Sequence, residues 1–169
     1  MKRIALVAIL VMALVSSAFA FQNEPKGFRK LYWGNSPTST MEFWDDMDEF
    51  MKIYHDPTEK KAIGSVGFSR MFFAFYVDVD ESLKFAGVTL FYRTKGNFDT
   101  LEILCNRRFG PATDKEYQDF SWEGAISTVH LKHNSIEDEG FLSIDSSGLW
   151  DRYLKRKEDR EVEAAKDDW

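Results

Sequence analysis

The chain has a single cysteine, Cys105, among its 169 residues. One cysteine cannot form an internal disulfide, so hydrophobic packing has to hold the fold together. A domain of about 150 residues can do this, because it buries roughly two-thirds of the surface that its unfolded chain exposes.

Basic residues are also scarce, with 22 Lys and Arg against 28 Asp and Glu, a formal net charge of −6. Residues 1–20 contain two of the basic residues and no acidic one, so the remaining chain has 20 against 28, or −8. This balance argues against a nucleic-acid partner, whose phosphates require a basic stripe. It equally argues against docking on anionic lipid by charge alone.

Only one long apolar run is present, from Ile4 to Phe21, preceded by Lys2 and Arg3. The run closes on the small-residue pattern Ala18-Phe19-Ala20, which is typical of a secretory signal peptide cut between Ala20 and Phe21. The alternative is an uncleaved anchor, because the run reaches the lower limit of a spanning helix. The pattern predicts cleavage and a periplasmic or secreted protein, whose only membrane association is through the signal segment.

Residues that could bind a transition metal are few. The three histidines are His55, His130 and His133, and the last two are predicted to lie on opposite faces of one strand because they are three positions apart. A zinc site needs three or four converging ligands, and the sequence does not predict such a set.

Two acidic segments, residues 45–49 ("DDMDE") and 78–82 ("DVDES"), could offer oxygen ligands to calcium. The first fits the solvated side of an amphipathic helix, and the second lacks the spacing and central glycine of a calcium loop. Solvated surface is therefore the preferred interpretation of both.

Nucleophile signatures are weak as well. Ser69 lies in "GFSRM", which is not the G-x-S-x-G turn of hydrolases, and Cys105 occupies an apolar helix position. No glycine-rich phosphate loop of the two common types occurs. The sequence therefore predicts no catalytic, cofactor-binding or metal residue, and no cofactor.

Aromatic residues are plentiful, at 15% of the chain with 15 Phe, which suits sheet packing. Residues 28–33 alternate as a short strand that ends at Gly34. A helix is then predicted from Ser36 or Ser39 to about Tyr54, because apolar residues recur at helical spacing. That stripe contains Phe43, Met47, Phe50 and Tyr54, with Trp44 and Met51 beside it.

Further along, the patterns predict an edge strand at 62–66, a central strand at 70–79 and its antiparallel partner at 83–93, in which Gly87 marks a bulge or close packing. A helix capped by Asn97 runs to Gly110-Pro111, with an apolar stripe. Three strands follow, at about 117–122, 125–133 and 141–145. A terminal helix starts at Leu149, and only its first turns are apolar, since "RKEDREVEAAKDDW" follows Lys155.

The predicted fold is α+β: an antiparallel sheet of about five to seven strands with two packed helices and a charged C-terminal helix. The element order also indicates a tandem α-β-β(-β) pseudo-repeat. We expect residues 1–20 to be the signal peptide, 21–148 a single domain and 149–169 a charged helix or tail. Trp33, Trp44, Trp122 and Trp150 are predicted to be mainly core residues, and Trp169 is the exception.

The segment "GFRKLYWG", residues 27–34, resembles the mature start of a group of small exported bacterial proteins that begins G-F-R-x-x-x-W-G. The break in "RRFGPATDKEY" and the Y-x-x-F-x-W-x-G pattern of Tyr117, Phe120, Trp122 and Gly124 extend the resemblance along the chain. Lys30 departs from the small residue of that pattern. The group is uncharacterised, so the resemblance implies an exported α+β domain and transfers no activity.

Together these features predict a non-enzymatic binding or protein-interaction module of the cell envelope, whose partner is an envelope protein or a small ligand. One alternative is a hydrolase with a dispersed site acting on envelope material, which requires a concave pocket with converging His, Asp or Arg side chains. The other is a carrier of small apolar ligands, which requires an apolar cavity.

Overall fold

The computed structural model of the protein describes residues 21–166. The predicted signal peptide and Trp169 lie outside the described residues. In chain order the elements are β1 (Gly27–Phe28), β2 (Leu31–Tyr32), β3 (Glu42–Asp48), β4 (Met51–His55), β5 (Ala62–Ile63), β6 (Val66–Gly67), β7 (Arg70–Val77), β8 (Leu83–Arg93), α1 (Lys95–Phe109), β9 (Asp114–Glu116), β10 (Asp119–Glu123), β11 (Ser127–Asn134), β12 (Glu139–Ser146) and α2 (Ser147–Lys166).

Eight of the strands form one antiparallel sheet in the order β3-β4-β7-β8-β12-β11-β10-β9. Two four-stranded meanders therefore meet side by side at β8 and β12. The pairs β1-β2 and β5-β6 are separate hairpins, each made of two strands of two residues. The α+β class with an antiparallel sheet, predicted from the sequence, is confirmed.

The sheet is covered by a different helix on each face. Alternate residues of β7 show this, because Phe73 and Phe75 enter the large core beneath α1, whereas Ala74 and Tyr76 join a smaller core with Tyr153 of α2. The large core also takes residues from the two small hairpins. The molecule thus has three layers, with α1 and the hairpins on one side and α2 on the other.

Helix α1 follows the predicted stripe, and its buried residues are Phe98, Leu101, Cys105 and Phe109. Its N-cap is Thr94, three residues before the predicted Asn97, and the Thr94 hydroxyl accepts a hydrogen bond from the Asn97 amide. The helix ends before Gly110, whose φ of 86° favours glycine.

The helix predicted from Ser36 or Ser39 to Tyr54 is wrong, because residues 36–41 form a loop and residues 42–55 form the hairpin of β3 and β4. Strand pairing outweighs the helical pattern here, because β4 forms backbone hydrogen bonds along β7. Met51 lies opposite Tyr76 in this pairing and is completely buried. The helical spacing arises because β3 has two bulges, which place its apolar residues at irregular intervals. Trp44, expected in the core, is 59% exposed.

The single strand predicted at 28–33 is also wrong, since the chain reverses at Arg29, whose φ is 55°, and forms the β1-β2 hairpin. A Cβ at Gly27 would lie 2.1 Å from the Leu31 carbonyl oxygen, so this reversal requires glycine there. The predicted edge strand at 62–66 is likewise a two-residue hairpin, β5-β6.

The other strand predictions are confirmed as β7, β8, β10, β11 and β12. Gly87 does both things expected of it. It lies at a register shift between β7 and β8, and it packs closely against Asp145 of β12. Strict alternation would place Ala86 and Val88 on the same face, but the shift puts Ala86 in the smaller core and Val88 in the large core.

The predicted pseudo-repeat needs correction in its order. Each half is a four-stranded meander followed by a helix, rather than a helix followed by strands. The two helices also lie on opposite faces of the sheet, so the halves share element order without sharing packing. Among residues 21–166, no helix has the length and apolar character needed to cross a membrane.

Candidate functional site

The sheet face opposite α1 is only partly covered by α2, and its uncovered part is hereafter called the open face. It forms an open cleft of about 890 Å³ that crosses the whole eight-stranded sheet, from β3 to β9. The first turns of α2 border the cleft through Ser147, Trp150 and Asp151. A cleft of this volume lies within the range of sites that bind small molecules.

Period-two alternation places polar residues on this face while their neighbours fill the core. In β12, Phe141, Ser143 and Asp145 line the cleft, whereas Leu142 and Ile144 belong to the large core. Antiparallel register then aligns Ser143 with His130, which in turn opposes Ser121 of β10. A cross-strand row of hydroxyl and imidazole groups results.

His130 is held by Asp119, to which its Nε2 is hydrogen-bonded. Lys132 Nζ donates to the other oxygen of the same carboxylate at 2.6 Å. Burial by itself would raise the pKa of Asp119, but the hydrogen bonds from Lys132 and His130 outweigh it and lower that pKa. Asp119 is therefore an ionised anchor that fixes the orientation of the His130 ring.

Asp145 is a second carboxyl group of the open face and has the opposite environment. Its Oδ1 lies only 2.0 Å from where a Cβ on Gly87 would be, so the carboxyl group rests directly on the backbone of β8. Burial raises the pKa of Asp145 to about 6, although a hydrogen bond from Ser143 and the nearby His130 oppose the rise. Asp119 and Asp145 thus have their pKa values shifted apart on either side of one histidine.

Aromatic rings form a continuous row across the open face, from β4 and β3 at one edge to β11. Successive ring centroids are 5.2–6.4 Å apart, within the range of favourable aromatic contacts. The distances along the row are His55–Trp44 5.3 Å, Trp44–Phe72 5.5 Å, Phe72–Phe91 6.1 Å, Phe91–Phe141 6.4 Å and Phe141–His130 5.2 Å. The Arg70 guanidinium lies over the Phe91 ring at 4.9 Å.

The row of aromatic rings adjoins the cross-strand row of Ser121, His130 and Ser143, since His130 belongs to both.

Carboxylates dominate the charge around the cleft. The acidic residues of its lining are Asp114, Glu116, Asp119, Glu123, Asp145 and Asp151. Ionised carboxylates are acceptors only, so the open face combines flat apolar rings with hydrogen-bond acceptors.

His130 and His133 lie on opposite faces of the sheet, as their spacing predicted. His133 is buried in the large core, where it stacks on Tyr92 at 6.1 Å, while His130 lines the opposite face. His55 lies at the far end of the aromatic row. Within residues 21–166, no group of three or more His, Cys, Asp or Glu side chains is placed to hold a metal ion.

The weak nucleophile candidates do not reach the open face. The Ser69 hydroxyl donates to the Phe91 carbonyl oxygen at 3.1 Å, and Cys105 is buried on α1. Burial raises the pKa of the Cys105 thiol to about 12, which keeps it protonated. In the acidic turn at 78–82, the Asp80 carboxylate accepts from the Ser82 amide at 3.0 Å, as a turn residue does.

No family model, no curated protein and no solved structure matches this chain.

Asp119, Asp145 and the ring row were not identified from the sequence. A signal for part of them was present in "FLSID", where aromatic and polar residues alternate with Leu142 and Ile144. That alternation indicates a half-buried strand with a polar face, but which other strands supply neighbours depends on sheet order. The convergence of β10, β11 and β12 is therefore a tertiary property.

Proposed function

We propose that this protein is an exported binding module of the cell envelope and that the open face is its binding surface. The observation that carries the proposal is the row of six rings that crosses the sheet, in which Trp44 is exposed and the other five rings are half-buried. Exposed aromatic side chains are characteristic of partner surfaces. The leader at residues 1–20 supports the export part of the proposal.

The proposal is tested by affinity capture from envelope extracts, with the protein starting at residue 21 as bait. The key variant is Trp44→Ala, which removes the exposed ring of the row. The matched control is Tyr117→Ala, because Tyr117 is 85% exposed and does not line the cleft. Wild type and the control should enrich the same ligand, and Trp44→Ala should capture at least tenfold less of that ligand.

Equal enrichment by Trp44→Ala and wild type would remove the open face as the binding surface. A second variant, Phe91→Ala, tests the centre of the row in the same way. Its folding is checked by the near-UV circular dichroism of the remaining aromatic residues.

A second candidate function is hydrolysis, and a specific observation favours it. His130, Asp119 and Asp145 converge in a concave cleft, and the two carboxyl groups have oppositely shifted pKa values, a pattern typical of acid–base sites. In this mechanism Asp145 gives its proton to the leaving oxygen. When Nε2–H of His130 donates to Asp119, the neutral ring retains Nδ1 to accept the proton of the attacking water.

The hydrolytic mechanism predicts a rate that falls as the pH rises through about 6, because Asp145 then loses the proton it has to donate. The assay is the release of soluble fragments from isolated cell-wall polymer. Asp145→Asn and His130→Ala should each reduce the rate by at least a hundredfold, and Glu137→Gln, in an exposed loop, should not change it. A rate unaffected by either site variant would eliminate this candidate.

A further inference from the structure

A separate apolar pocket lies on the opposite side of the sheet from the open face. It has a volume of about 240 Å³ and is enclosed between α1, the β1-β2 hairpin and β5. Leu142 and Ile144 of β12 form its floor, so the pocket reaches the core face of the sheet. Leu101 and Leu104 of α1 contribute to its wall.

Two arginines line this pocket, Arg29 from the β1-β2 turn and Arg108 from the last turn of α1. Arg29 is already engaged, since it forms an ion pair with Glu59 and donates to the Ala62 carbonyl oxygen at 2.9 Å. Arg108 packs against the Phe109 ring at 5.7 Å, and within residues 21–166 its side chain forms no ion pair. A guanidinium in this setting offers its fork of N–H donors to an anion.

We infer that this pocket binds an amphipathic carboxylate of medium chain length, with the alkyl tail inside and the carboxylate on Arg108. Charge complementarity selects the head group: a carboxylate accepts two hydrogen bonds from one guanidinium, whereas an ammonium would be repelled. The apolar wall and floor select the tail, because burial of methylene groups drives its entry.

The volume sets the length of the tail. A methylene group takes roughly the 30 Å³ that one molecule occupies in liquid water, so 240 Å³ holds about eight carbons. Octanoate is therefore the probe of choice. Each methylene that enters should strengthen binding about fourfold, so hexanoate should bind more than tenfold more weakly than octanoate.

This site does not depend on the open face, because α1 and α2 lie on opposite sides of the sheet. Loss of binding at one site should leave the other unaffected. The tests of the two proposals can therefore fail separately.

The experiment is isothermal titration calorimetry of the protein starting at residue 21 with octanoate. Arg108→Ala should weaken binding at least tenfold. The matched control is Arg107→Ala, because Arg107 is the neighbouring exposed arginine in the same helical turn and does not line the pocket. Octanol and octylamine, which share the tail but not the anionic head, should each bind at least tenfold more weakly than octanoate.

A second readout locates the ligand. In methyl NMR spectra, octanoate should shift the resonances of Leu101, Leu104 and Leu142, which line this pocket. The same concentration of octanoate should leave these resonances unshifted in Arg108→Ala. The inference is overturned if Arg107→Ala weakens octanoate binding as much as Arg108→Ala does. It is also overturned if octylamine binds as tightly as octanoate, or if octanoate shows no binding.

Discussion

Asp145 is the residue whose environment most departs from that of an ordinary surface carboxyl group. Its pKa is raised from 3.8 to about 6, chiefly by burial, so the folded state favours its protonated form. Below pH 4 the group is protonated in both folded and unfolded chains. Stability is therefore lost as the pH rises from about 4 to about 6, and above 6 the full penalty remains.

Replacement of Asp145 by Asn should raise the free energy of unfolding at pH 7.5 by about 1–3 kcal/mol, because it removes the charge that burial penalises. At pH 4 the difference from wild type should largely vanish. Urea denaturation at the two pH values measures both. Asp145→Ser should show the same pH dependence, and a gain that persists unchanged at pH 4 would mean that packing rather than charge is responsible.

Gly87 and Asp145 should be energetically coupled. An alanine at position 87 would place its Cβ 2.0 Å from Asp145 Oδ1 and 3.1 Å from Cγ, so the carboxyl group has to move. Gly87→Ala should therefore destabilise the protein by about 1–3 kcal/mol, as overpacking does. In an Asp145→Ala background the same substitution should cost less than half as much, which a double-mutant cycle of urea unfolding measures. Additive effects would contradict the contact.

At the scale of elements, α2 divides into a docked and a projecting half. Tyr153 is buried in the smaller core, and its hydroxyl donates to Asp48 Oδ2 at 2.7 Å. Arg156 lies over the Phe50 ring at 4.5 Å and donates to the Val77 carbonyl oxygen. After Arg160, every described residue of the helix is exposed. The segment after Arg160 therefore projects from the sheet as a regular helix up to Lys166.

This division predicts a graded response to changes in α2. Tyr153→Ala should destabilise the protein by about 3 kcal/mol through the loss of a buried ring, and Tyr153→Phe by about 1 kcal/mol through the loss of one hydrogen bond. Leu154→Ala, at a half-exposed position, and removal of residues after 160 should each change stability by less than about 0.5 kcal/mol. Thermal and urea unfolding test this order. A large loss on truncation would show that the projecting half contributes to folding.

The β3-β4 hairpin shows why element type was misjudged at one place and correct elsewhere. Met51 and Tyr76 pair across strands that are 25 positions apart in the sequence, and no local pattern contains that pairing. In α1, by contrast, the residues that define the stripe lie within a single helix and bury against one core. Local periodicity predicts the type of an element only where pairing with a distant segment does not favour a different type.

At the scale of the whole molecule, one sheet lies between two cores. Phe75 faces the large core and Tyr76 the smaller one, so unfolding of β7 would expose both. The two cores should therefore melt together, even though α2 contacts only the smaller core.

The measurement is urea unfolding followed by far-UV and near-UV circular dichroism, which report secondary structure and aromatic packing. The two curves should coincide, as expected of two-state unfolding in a domain of about 150 residues. An earlier far-UV transition with retained aromatic signal would mean that α2 detaches before the sheet unfolds. Tyr153→Ala serves as the reference for a weakened α2.

Local sequence patterns were enough to predict the α+β class, the strands β7, β8, β10, β11 and β12, the stripe of α1 and the separation of His130 from His133. These follow from local periodicity, which records the face that each residue presents to a core. Three features depend on the folded chain instead: residues 42–55 form a strand hairpin, Asp145 rests on Gly87, and six rings from six strands form one row. The physical reason is that each of these depends on pairing between segments far apart in the chain, where backbone hydrogen bonds and burial outweigh local preference.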